Sequence, residues 1–354
     1  MKLLLLAGIA MTLVGAQVAQ DSTVAGPPGA ALSGLNDEEA AAFRVGRDIF
    51  RRTWQPHTEF YNARSCFQCH RDPTIGGTSS SPFDFAFFTR DPKEPTGWKP
   101  FPWLIWKGRP SGQRLPFGDF ETRRPGHLFG LGLLEAIPVQ DILAAADPTD
   151  ANKDGISGRL LELDGGYGRF GWRGSAPTID AFVKGAFETE MGLRLDDGLA
   201  DNRLSAEMIA LTSNSVRFLA APKPTPSQSS GPGKSLFAKL DCTSCHTPEW
   251  TTGDSPYEAL RRKKIAPYTD MLMHDLGRGK PTHDSGKQLS VREFRTPALW
   301  GIGLSGGPFF HDGSTATLEE AIDRHEGEAL GSRDKWRKLN SNDKNALLKF
   351  LKSL

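Results

Sequence analysis

The chain has 354 residues, enough for two domains or three small ones, and 38% of them are apolar. Its 43 lysines and arginines nearly balance its 42 aspartates and glutamates. Because no basic run is present, we expect no nucleic-acid partner. The 38 glycines and 25 prolines predict long loops, short helices and small cores that need additional stabilisation.

The first 16 residues have the pattern of a secretory signal peptide. Lys2 supplies a positive charge, Leu3–Val14 is apolar, and Ala16 ends a pair of small residues that suits cleavage. About a dozen apolar residues are too few for a helix that crosses a bilayer, which needs roughly 20. The pattern therefore favours a signal peptide at residues 1–16 over an uncleaved anchor. It predicts a protein exported to the periplasm, with no membrane span in its mature form.

Composition and periodicity divide the rest of the chain. Residues 17–35 are rich in Gly, Ala, Ser and Pro without periodicity, which predicts a flexible lead-in. Asn36 followed by Glu39 has the spacing of a capping box, so we expect the first helix to begin there. The predicted organisation is a leader (1–16), a flexible lead-in (17–35), an N-terminal domain with insertions (36–220), a linker rich in Pro, Ser and Gly (221–233) and a C-terminal domain (234–354).

All four cysteines lie in two Cys-x-x-Cys-His motifs. One is Cys66-Phe67-Gln68-Cys69-His70, and the other is Cys242-Thr243-Ser244-Cys245-His246. Two thiols at this spacing add to the two vinyl groups of a haem, and the following histidine ligates the iron. The motifs therefore predict two covalently bound haems, with His70 and His246 as proximal ligands. A four-cysteine zinc site would leave both histidines unexplained, and thioredoxin-like motifs would need α/β patterns that the flanking sequence lacks.

Two pairs of similar segments indicate that the haem region is duplicated. Gly46-x-x-Ile49-Phe50, before the first motif, resembles Gly233-x-x-Leu236-Phe237, before the second. Downstream, residues 124–133 (RPGHLFGLGL) resemble residues 295–304 (RTPALWGIGL). Because both pairs have similar separations, the sequence predicts two copies of one haem domain.

A short acidic segment has the spacing of a calcium loop. Asp150, Asn152 and Asp154, followed by Gly155, would point alternate oxygens at one hard cation. The twelfth position is Leu161 instead of glutamate, so a complete helix-loop-helix calcium hand is not expected. Two alternatives stay open: a reduced calcium loop completed by carbonyls and water, and a turn whose side chains bond their own backbone.

Several segments together resemble one known family. GLGLLEAIP, NKDGISGRL, EFRTPALWGIG and FFHDGSTATLEEAI are similar to the bacterial di-haem oxidoreductases usually described as putative peroxidases. That family is itself similar to di-haem cytochrome c peroxidases and to the methylamine-utilisation di-haem enzyme. The resemblance covers most of the mature chain. It implies a mostly α protein with two cytochrome c-like haem domains and long loops.

The resemblance also implies roles for the two haems. In the peroxidase relatives, one haem accepts electrons and passes them to a second, N-terminal haem, which reduces peroxide. Here electrons would come from a small periplasmic donor, a cytochrome or a cupredoxin, and enter at the C-terminal haem. A glutamate before Met-Gly serves those enzymes as acid and base, and the matching residue is Glu190. Glu135, in the duplicated segment, is a second catalytic candidate. The relatives also hold calcium.

The sequence departs from the peroxidases at two ligand positions. Their methionine ligand lies in a Tyr-Met-His-Asp-Gly motif, but the methionine's position here is Phe310, which cannot bind iron. The candidates for the sixth ligand of the second haem are therefore His274, His325, His311, Met271 and Met273, of which His274 and His325 are preferred. No histidine occurs between His70 and His127, so the distal histidine of the peroxidases is absent and the first haem is expected to be open. The alternatives are an electron carrier without catalysis that serves a partner enzyme, and a di-haem oxygenase or protein-modifying enzyme.

Overall fold

The structure is a computed structural model of the chain, without ligands. It describes residues 21–57, 61–81, 84–90, 98–100, 120–195, 204–225, 231–277, 290 and 292–354. The predicted signal peptide, residues 1–16, lies outside the described residues. No helix among the described residues combines the length and the apolar character needed to cross a bilayer.

Most of the regular structure in the described chain is helical, and eleven short strands accompany the helices. The helices are α1 (Asp37–Arg51), α2 (Cys66–Cys69), α3 (Leu131–Glu135), α4 (Val139–Ala144), α5 (Ile179–Gly185), α6 (Ala206–Arg217), α7 (Pro232–Lys239), α8 (Leu318–Asp323), α9 (Leu330–Arg337) and α10 (Ser341–Leu351). A π-helical turn, Ala186–Glu190, continues α5, and 3₁₀ turns cover Cys242–Ser244, Glu258–Leu260, Ile302–Leu304 and Gly327–Ala329.

The strands form small, separate sheets. They are β1 (Ala25–Gly26), β2 (Ala86–Arg90), β3 (Trp98–Pro100), β4 (Phe120–Arg123), β5 (Leu161–Leu163), β6 (Gly166–Gly168), β7 (Ala221–Pro222), β8 (Trp250–Thr251), β9 (Lys264–Ile265), β10 (Met273–Asp275) and β11 (Glu293–Arg295). β1 pairs in parallel with β7. The order β3-β2-β4 makes an antiparallel sheet, and β5-β6, β8-β9 and β10-β11 are antiparallel pairs.

The first helix begins where the sequence predicts. The Asn36 side chain accepts a hydrogen bond from the Glu39 backbone N–H (2.9 Å), and the Glu39 carboxylate accepts one from the Asn36 backbone N–H (3.0 Å). This reciprocal cap satisfies two of the donors that a helix start leaves unpaired. The buried face of α1 consists of Phe43, Gly46 and Phe50, and the helix packs against α6.

The first repeat detected in the sequence corresponds to two helix crossings. α1 crosses α6 at Gly46, where a Cβ would collide with the Leu211 carbonyl oxygen. α7 crosses α10 at Gly233, where a Cβ would collide with the Ala346 carbonyl oxygen. Only glycine lets the backbones approach this closely. The two helices that precede the two cysteine motifs are therefore held in the same way.

The second repeat forms equivalent contacts with the ends of those partner helices. Gly130 and Gly301 have positive φ angles, +69° and +74°, which favour glycine. The Gly130 N–H donates to the Leu219 carbonyl (3.0 Å), and the Gly301 N–H donates to the Leu354 carbonyl (2.8 Å). Each repeat therefore ties its segment to the residues that follow α6 or α10.

The two copies of this segment also face each other. The Trp300 ring lies against Gly130, and its indole N–H donates to the Phe129 carbonyl (3.0 Å). In the equivalent position, the Phe129 ring lies near Gly301, 3.6 Å from where a Cβ would be. The aromatic residue of each copy thus contacts the glycine of the other copy, so equivalent residues form both sides of the contact between the two halves.

The hydrophobic cores follow the predicted division only in part. One cluster of buried residues includes Phe43, Phe129 and Phe187, and the other includes Phe237 and Phe350. The first cluster also contains Ala259, Leu260, Ile265, Met271, Leu272 and Trp300, which lie beyond the predicted linker. Part of the C-terminal segment is therefore built into the first core.

The lead-in and the linker also differ from the expectation of flexibility. Val24 is completely buried, and Ala25 pairs with Ala221 in the β1–β7 ladder. The described part of residues 17–35 is thus packed, because its few apolar residues find a place in the first core. α7 begins at Pro232, inside the predicted linker, where proline suits the first helical turn.

Candidate functional site

The first cysteine motif forms one helical turn, here called the Cys66 turn (Cys66–His70). The Ser65 hydroxyl accepts from the Gln68 backbone N–H (3.2 Å) and caps the turn. The His70 N–H donates to the Cys66 carbonyl (3.0 Å), so the imidazole follows directly on the two thiols. Cys66 packs against the first hydrophobic cluster.

The second motif, the Cys242 turn (Cys242–His246), also forms one helical turn, but it is a 3₁₀ turn where the first is α-helical. It begins after Asp241, whose φ is +60°, and continues as a 3₁₀ turn. The His246 N–H donates to the Cys242 carbonyl (2.9 Å), matching the bond in the Cys66 turn. Cys242 packs against the second cluster.

The two imidazoles are oriented alike by backbone carbonyls. His70 Nδ1 lies 3.0 Å from the Gly77 carbonyl oxygen, and His246 Nδ1 lies 3.0 Å from the Tyr268 carbonyl oxygen. A proton on Nδ1 leaves Nε2 with its lone pair, which is the arrangement of a metal-ligating histidine. Burial lowers the pKa of both histidines to about 4, so each is neutral near pH 7, as iron ligation requires.

One phenylalanine from the preceding helix packs against each imidazole. The Phe50 and His70 ring centroids are 6.3 Å apart with an interplanar angle of 56°. For Phe237 and His246 the values are 6.2 Å and 58°. These phenylalanines are the last residues of the first sequence repeat, so the repeat determines how each imidazole is supported.

The cysteines do not form the four-cysteine zinc site considered as an alternative. No disulfide joins any of the four. Within the described residues, the group with metal-binding spacing contains Cys245, Asp270 and His274, and does not bring the two cysteine pairs together. Burial raises the pKa of the Cys66 and Cys242 thiols to about 12, which disfavours the thiolates that zinc requires. The donor set at each turn, two thiols and a neutral, oriented imidazole, fits a haem.

Glu190 lies beside the segment that leads into the Cys66 turn. Its carboxylate accepts a hydrogen bond from the Asn62 side-chain amide (2.7 Å). Its backbone carbonyl accepts from the N–H groups of Asn62 (2.7 Å) and Ala63 (3.0 Å). Since Asn62 is only four residues before Cys66, these bonds position Glu190 relative to the first motif. Glu190 ends the π-helical turn, a local geometry often found at functional sites.

Glu135 lies in a network that holds three helices together. One carboxylate oxygen accepts from the Ile179 backbone N–H (2.8 Å) at the start of α5. The other pairs with Arg217 at the end of α6 (2.8 Å), and Arg217 also pairs with Asp180 (2.5 Å). Burial lowers the pKa of Arg217, but the bond to Glu135 and the nearby acids outweigh it and raise the pKa. Both carboxylate oxygens of Glu135 are thus engaged in bonds that hold α5 and α6 in place.

His274 is buried between two carboxylates. Its Nε2 lies 2.8 Å from Asp270 and its Nδ1 lies 2.7 Å from Glu328. Burial alone would lower the pKa of His274, but hydrogen bonds to Asp270, Cys245 and Glu328 raise it to about 12. Both ring nitrogens are therefore protonated and hydrogen-bonded at neutral pH, an arrangement that leaves no lone pair for iron.

His325 lies near the Cys242 turn in a different state. Its Nδ1 donates to the Ala321 carbonyl oxygen (2.7 Å), and burial lowers its pKa. It is close enough to His246 to contribute to the lowered pKa of that imidazole. The Phe310 ring stands edge-on to His325, with centroids 5.8 Å apart, so the phenylalanine at the relatives' methionine position supports this histidine.

The calcium-like loop is closed by its own side chains. Asp150 accepts from the Gly155 N–H (3.2 Å), Asn152 from the Asp154 N–H (2.9 Å), and Asp154 from the Ile156 N–H (2.9 Å). This is the pattern of the self-bonded turn, one of the two alternatives from the sequence. Calcium binding stays a prediction.

Sequence reasoning did not select His127 or Arg124. His127 has two buried ring nitrogens without a hydrogen-bond partner, and Arg124 has a buried Nε without one. Both residues lie in the second repeat, where Arg295 matches Arg124 but Ala298 occupies the position of His127. That difference between the two copies was the available signal.

Comparison with known proteins places the chain among di-haem proteins. A family model described as "Di-haem oxidoreductase, putative peroxidase" matches residues 119–222 and 217–354. Methylamine utilization protein MauG of Methylophilus methylotrophus is 28% identical over 174 residues, covering 45% of this chain and 48% of that protein. Cytochrome c551 peroxidase of Nitrosomonas europaea is 32% identical over 122 residues, covering 34% of this chain and 33% of that protein. The chain thus spans about half the length, or less, of these curated relatives.

Solved structures of similar overall extent have low sequence identity. A MauG-like protein associated with microbial copper homeostasis aligns with a TM-score of 0.48 and 20% identity, covering 96% of this chain and 95% of that one. The diheme peroxidase BthA from Burkholderia thailandensis E264 aligns with a TM-score of 0.46 and 15% identity, covering 93% and 89%.

Proposed function

The chain belongs to the di-haem oxidoreductase, putative peroxidase family, and we propose that it is an exported enzyme that reduces peroxide by means of two covalently attached haems. The observation that carries this proposal is the duplicated support of the two motif histidines. Each imidazole has Nδ1 at 3.0 Å from a backbone carbonyl oxygen and a phenylalanine ring packed at the same distance and angle. Haem supplies an iron that exchanges single electrons and, where one face is open, binds a small oxidant.

The haem of the Cys66 turn is the proposed reaction site. The peroxidase name of one relative supports peroxide as the oxidant. Reduction of peroxide to water consumes protons, and a positioned carboxyl group can deliver them. Glu190 fits this role because its carboxyl group is oriented by Asn62, four residues before Cys66, and its backbone carbonyl binds the same segment. Glu135 is better explained as a structural residue, since both of its oxygens are engaged with α5 and α6.

The haem of the Cys242 turn is the proposed entry point for electrons. We assign its sixth ligand to His325, because His325 has Nδ1 bonded to a carbonyl, as both motif histidines do, and lies near His246. His274 is the weaker candidate, because both of its ring nitrogens are bonded to carboxylates. A six-coordinate haem exchanges electrons without binding the oxidant. Its donor, a small periplasmic cytochrome or cupredoxin, and the export of the chain by residues 1–16 stay predictions.

Spectroscopy of the full chain, matured in a host that attaches haem c, tests the proposal. Mass spectrometry is expected to show two added haems, and electron paramagnetic resonance one high-spin and one low-spin ferric centre. The protein is also expected to consume hydrogen peroxide with a reduced small cytochrome as donor. Two low-spin centres that leave peroxide unchanged would instead identify an electron carrier. His325→Ala is expected to convert the low-spin centre to high spin, whereas His274→Gln is expected to leave it low-spin.

A further inference from the structure

A buried imidazole without hydrogen-bond partners lies beside the Cys66 turn. Neither ring nitrogen of His127 has a partner, although both are buried. The ring stacks on Phe129, with centroids 5.4 Å apart and an interplanar angle of 19°. The next residue, Leu128, donates its backbone N–H to the Gly76 carbonyl (2.8 Å). Buried polar atoms are nearly always hydrogen-bonded, so an unpartnered pair in one ring indicates that a group is missing from the protein alone.

Arg124 adds a second unpartnered donor at the same place. Its Nη2 donates to the Ser305 hydroxyl (2.6 Å), and its backbone N–H donates to the His311 carbonyl (2.9 Å). The side chain is therefore held in position, yet its Nε is buried without a partner. Burial lowers the pKa of Arg124 to about 10, and no carboxylate of the described residues raises it. A buried cation without a counter-charge is costly.

The second copy of the segment satisfies its arginine within the protein. Arg295, which matches Arg124, donates to the carbonyls of Gly171 (3.0 Å) and Thr296 (3.1 Å). Burial lowers the pKa of Arg295, and the charge of Asp270 partly offsets this. Ala298 replaces His127, so no imidazole needs a partner there. The unmet donors are thus a property of the first copy alone, and not a general feature of the repeat.

The unpartnered donors lie close to the histidine of the Cys66 turn. Burial, Arg124 and His70, in that order, lower the pKa of His127 to about 3, so the three groups are near one another. The backbone connects them as well, because Gly77 accepts from His70 and the adjacent Gly76 accepts from Leu128. A ligand that satisfies Arg124 and His127 therefore lies within reach of a group bound at His70.

We propose that Arg124 and His127 bind a propionate carboxylate of the haem carried by the Cys66 turn. This inference rests on the proposed function. A carboxylate offers several acceptor sites and a negative charge, which match the Nε–H of Arg124, an N–H of His127 and the uncompensated cation. The two residues act as positioning residues for that haem and raise its reduction potential, because a nearby positive charge favours the reduced iron.

The test measures both reduction potentials of the full-length holoprotein by spectroelectrochemical titration, with the propionate vibrations recorded by resonance Raman spectroscopy. Arg124→Gln is expected to lower the midpoint potential of the high-spin haem and to shift its propionate modes, while the other haem stays unchanged. His127→Leu is expected to do the same to a smaller extent. Because the two residues share one carboxylate, the double variant should fall short of the sum. Arg124→Lys, which keeps the charge and the fold, should restore most of the potential.

Arg44→Gln is the matched control, since Arg44 is exposed on α1 of the same half and loses the same charge. Equal potentials for Arg124→Gln and this control would overturn the inference. A change of spin state in His127→Leu would overturn it as well, because His127 would then be an iron ligand. A wild-type preparation without two haems would contradict the proposed function itself, before any potential is measured.

Discussion

The Cys66 turn and the Cys242 turn support their histidines, His70 and His246, with nearly the same contacts. The other residues around the two turns differ. In both, a carbonyl lies 3.0 Å from Nδ1 and a phenylalanine packs at about 6 Å from the ring. Around the first turn the neighbours are Glu190 and the unpartnered His127. Around the second they are His325 and the bonded His274.

This comparison indicates which parts of the duplicated fold are the same in both halves and which parts give the two halves different chemistry. The support of each imidazole includes Phe50 or Phe237, which is buried in the core one helical turn after the glycine of the helix crossing, so altering it would disturb packing in either half. The residues that differ around the two turns, Glu190 and His127 in one half and His274 and His325 in the other, come from a helix end, from loops and from the strand β10. The proposed haem attachment is therefore common to both halves, and the proposed division into a reaction site and an electron-entry site depends on residues outside the motifs.

Removing one cysteine pair at a time gives the largest expected effect. Cys66→Ala with Cys69→Ala, and Cys242→Ala with Cys245→Ala, are each expected to reduce the covalently bound haem from two to one, because thioether bonds need these thiols. Mass spectrometry measures the loss. The haem that remains should be high-spin in the second double variant and low-spin in the first. Identical spectra for the two variants would break the proposed asymmetry.

Replacing Glu190 tests the reaction site itself. Glu190→Gln keeps the shape of the side chain but removes its acid–base function, so peroxide turnover is expected to fall by about 10²–10⁴-fold. Steady-state assays with a reduced small cytochrome measure this. Glu188→Gln is the matched control, since Glu188 lies on the same turn and is exposed, with only a weak pairing to Lys184. The role of Glu190 is refuted by equal turnover in both variants.

The bonded His274 predicts a pH-dependent stability for the second half. Burial lowers the pKa of His274 in the fold, but hydrogen bonds to Asp270 and Glu328 outweigh this and raise the pKa above the value of about 6.5 in an unfolded chain, so the folded state holds one more proton between the two values. The stabilisation is therefore complete below about pH 6.5 and decreases as the pH rises. His274→Gln is expected to lower the free energy of unfolding by about 3 kcal/mol at pH 6, and by less at pH 9.

Guanidinium unfolding at several pH values measures this loss. Arg292→Gln is the control, because it breaks the more exposed pair with Asp275 (2.9 Å) and should cost less than about 1 kcal/mol at any pH. A loss for His274→Gln that grows with pH would contradict the assigned charge state.

The two helix crossings predict the smallest effects, and equal ones. Gly46→Ala and Gly233→Ala each place a methyl group against a backbone carbonyl that cannot yield easily. Each is expected to lower the free energy of unfolding by about 1–3 kcal/mol. Gly185→Ala, on a helix where a Cβ meets nothing within 4 Å, should instead stabilise by up to about 1 kcal/mol. Thermal unfolding measures all three, and a clearly unequal pair would show that the crossings are not equivalent.

Local patterns were readable from the sequence where short-range chemistry determines them. The cap at Asn36 was predicted and is confirmed, because it needs only Glu39 three residues later. Family membership was also predicted and is shown by the family model. A further repeat was missed: Phe170 bridges Ala176 as Phe309 bridges Thr315, and Thr178 and Thr317 cap the helices that follow. The two copies share a phenylalanine (Phe170, Phe309), a Gly-Ser pair (174–175, 313–314) and the capping threonine, so the sequence carries this repeat as well.

Long-range packing limited the other predictions. Residues 17–35 have the composition of a linker, yet Val24 is buried because the strand Ala221–Pro222 is available to pair with its neighbours. His274 and His325 cannot be distinguished by spacing, since their hydrogen-bond partners lie up to 54 residues away.

By itself, the sequence determined the two attachment motifs, the helix that starts at Asn36 and the duplication, because spacing along the chain is enough for each of them. Only the tertiary structure decided which histidine has a ring nitrogen left for a ligand, which glutamate is used in packing, and which arginine lacks a counter-charge. These properties depend on burial and on partners from distant segments, and neither is set until the chain has folded.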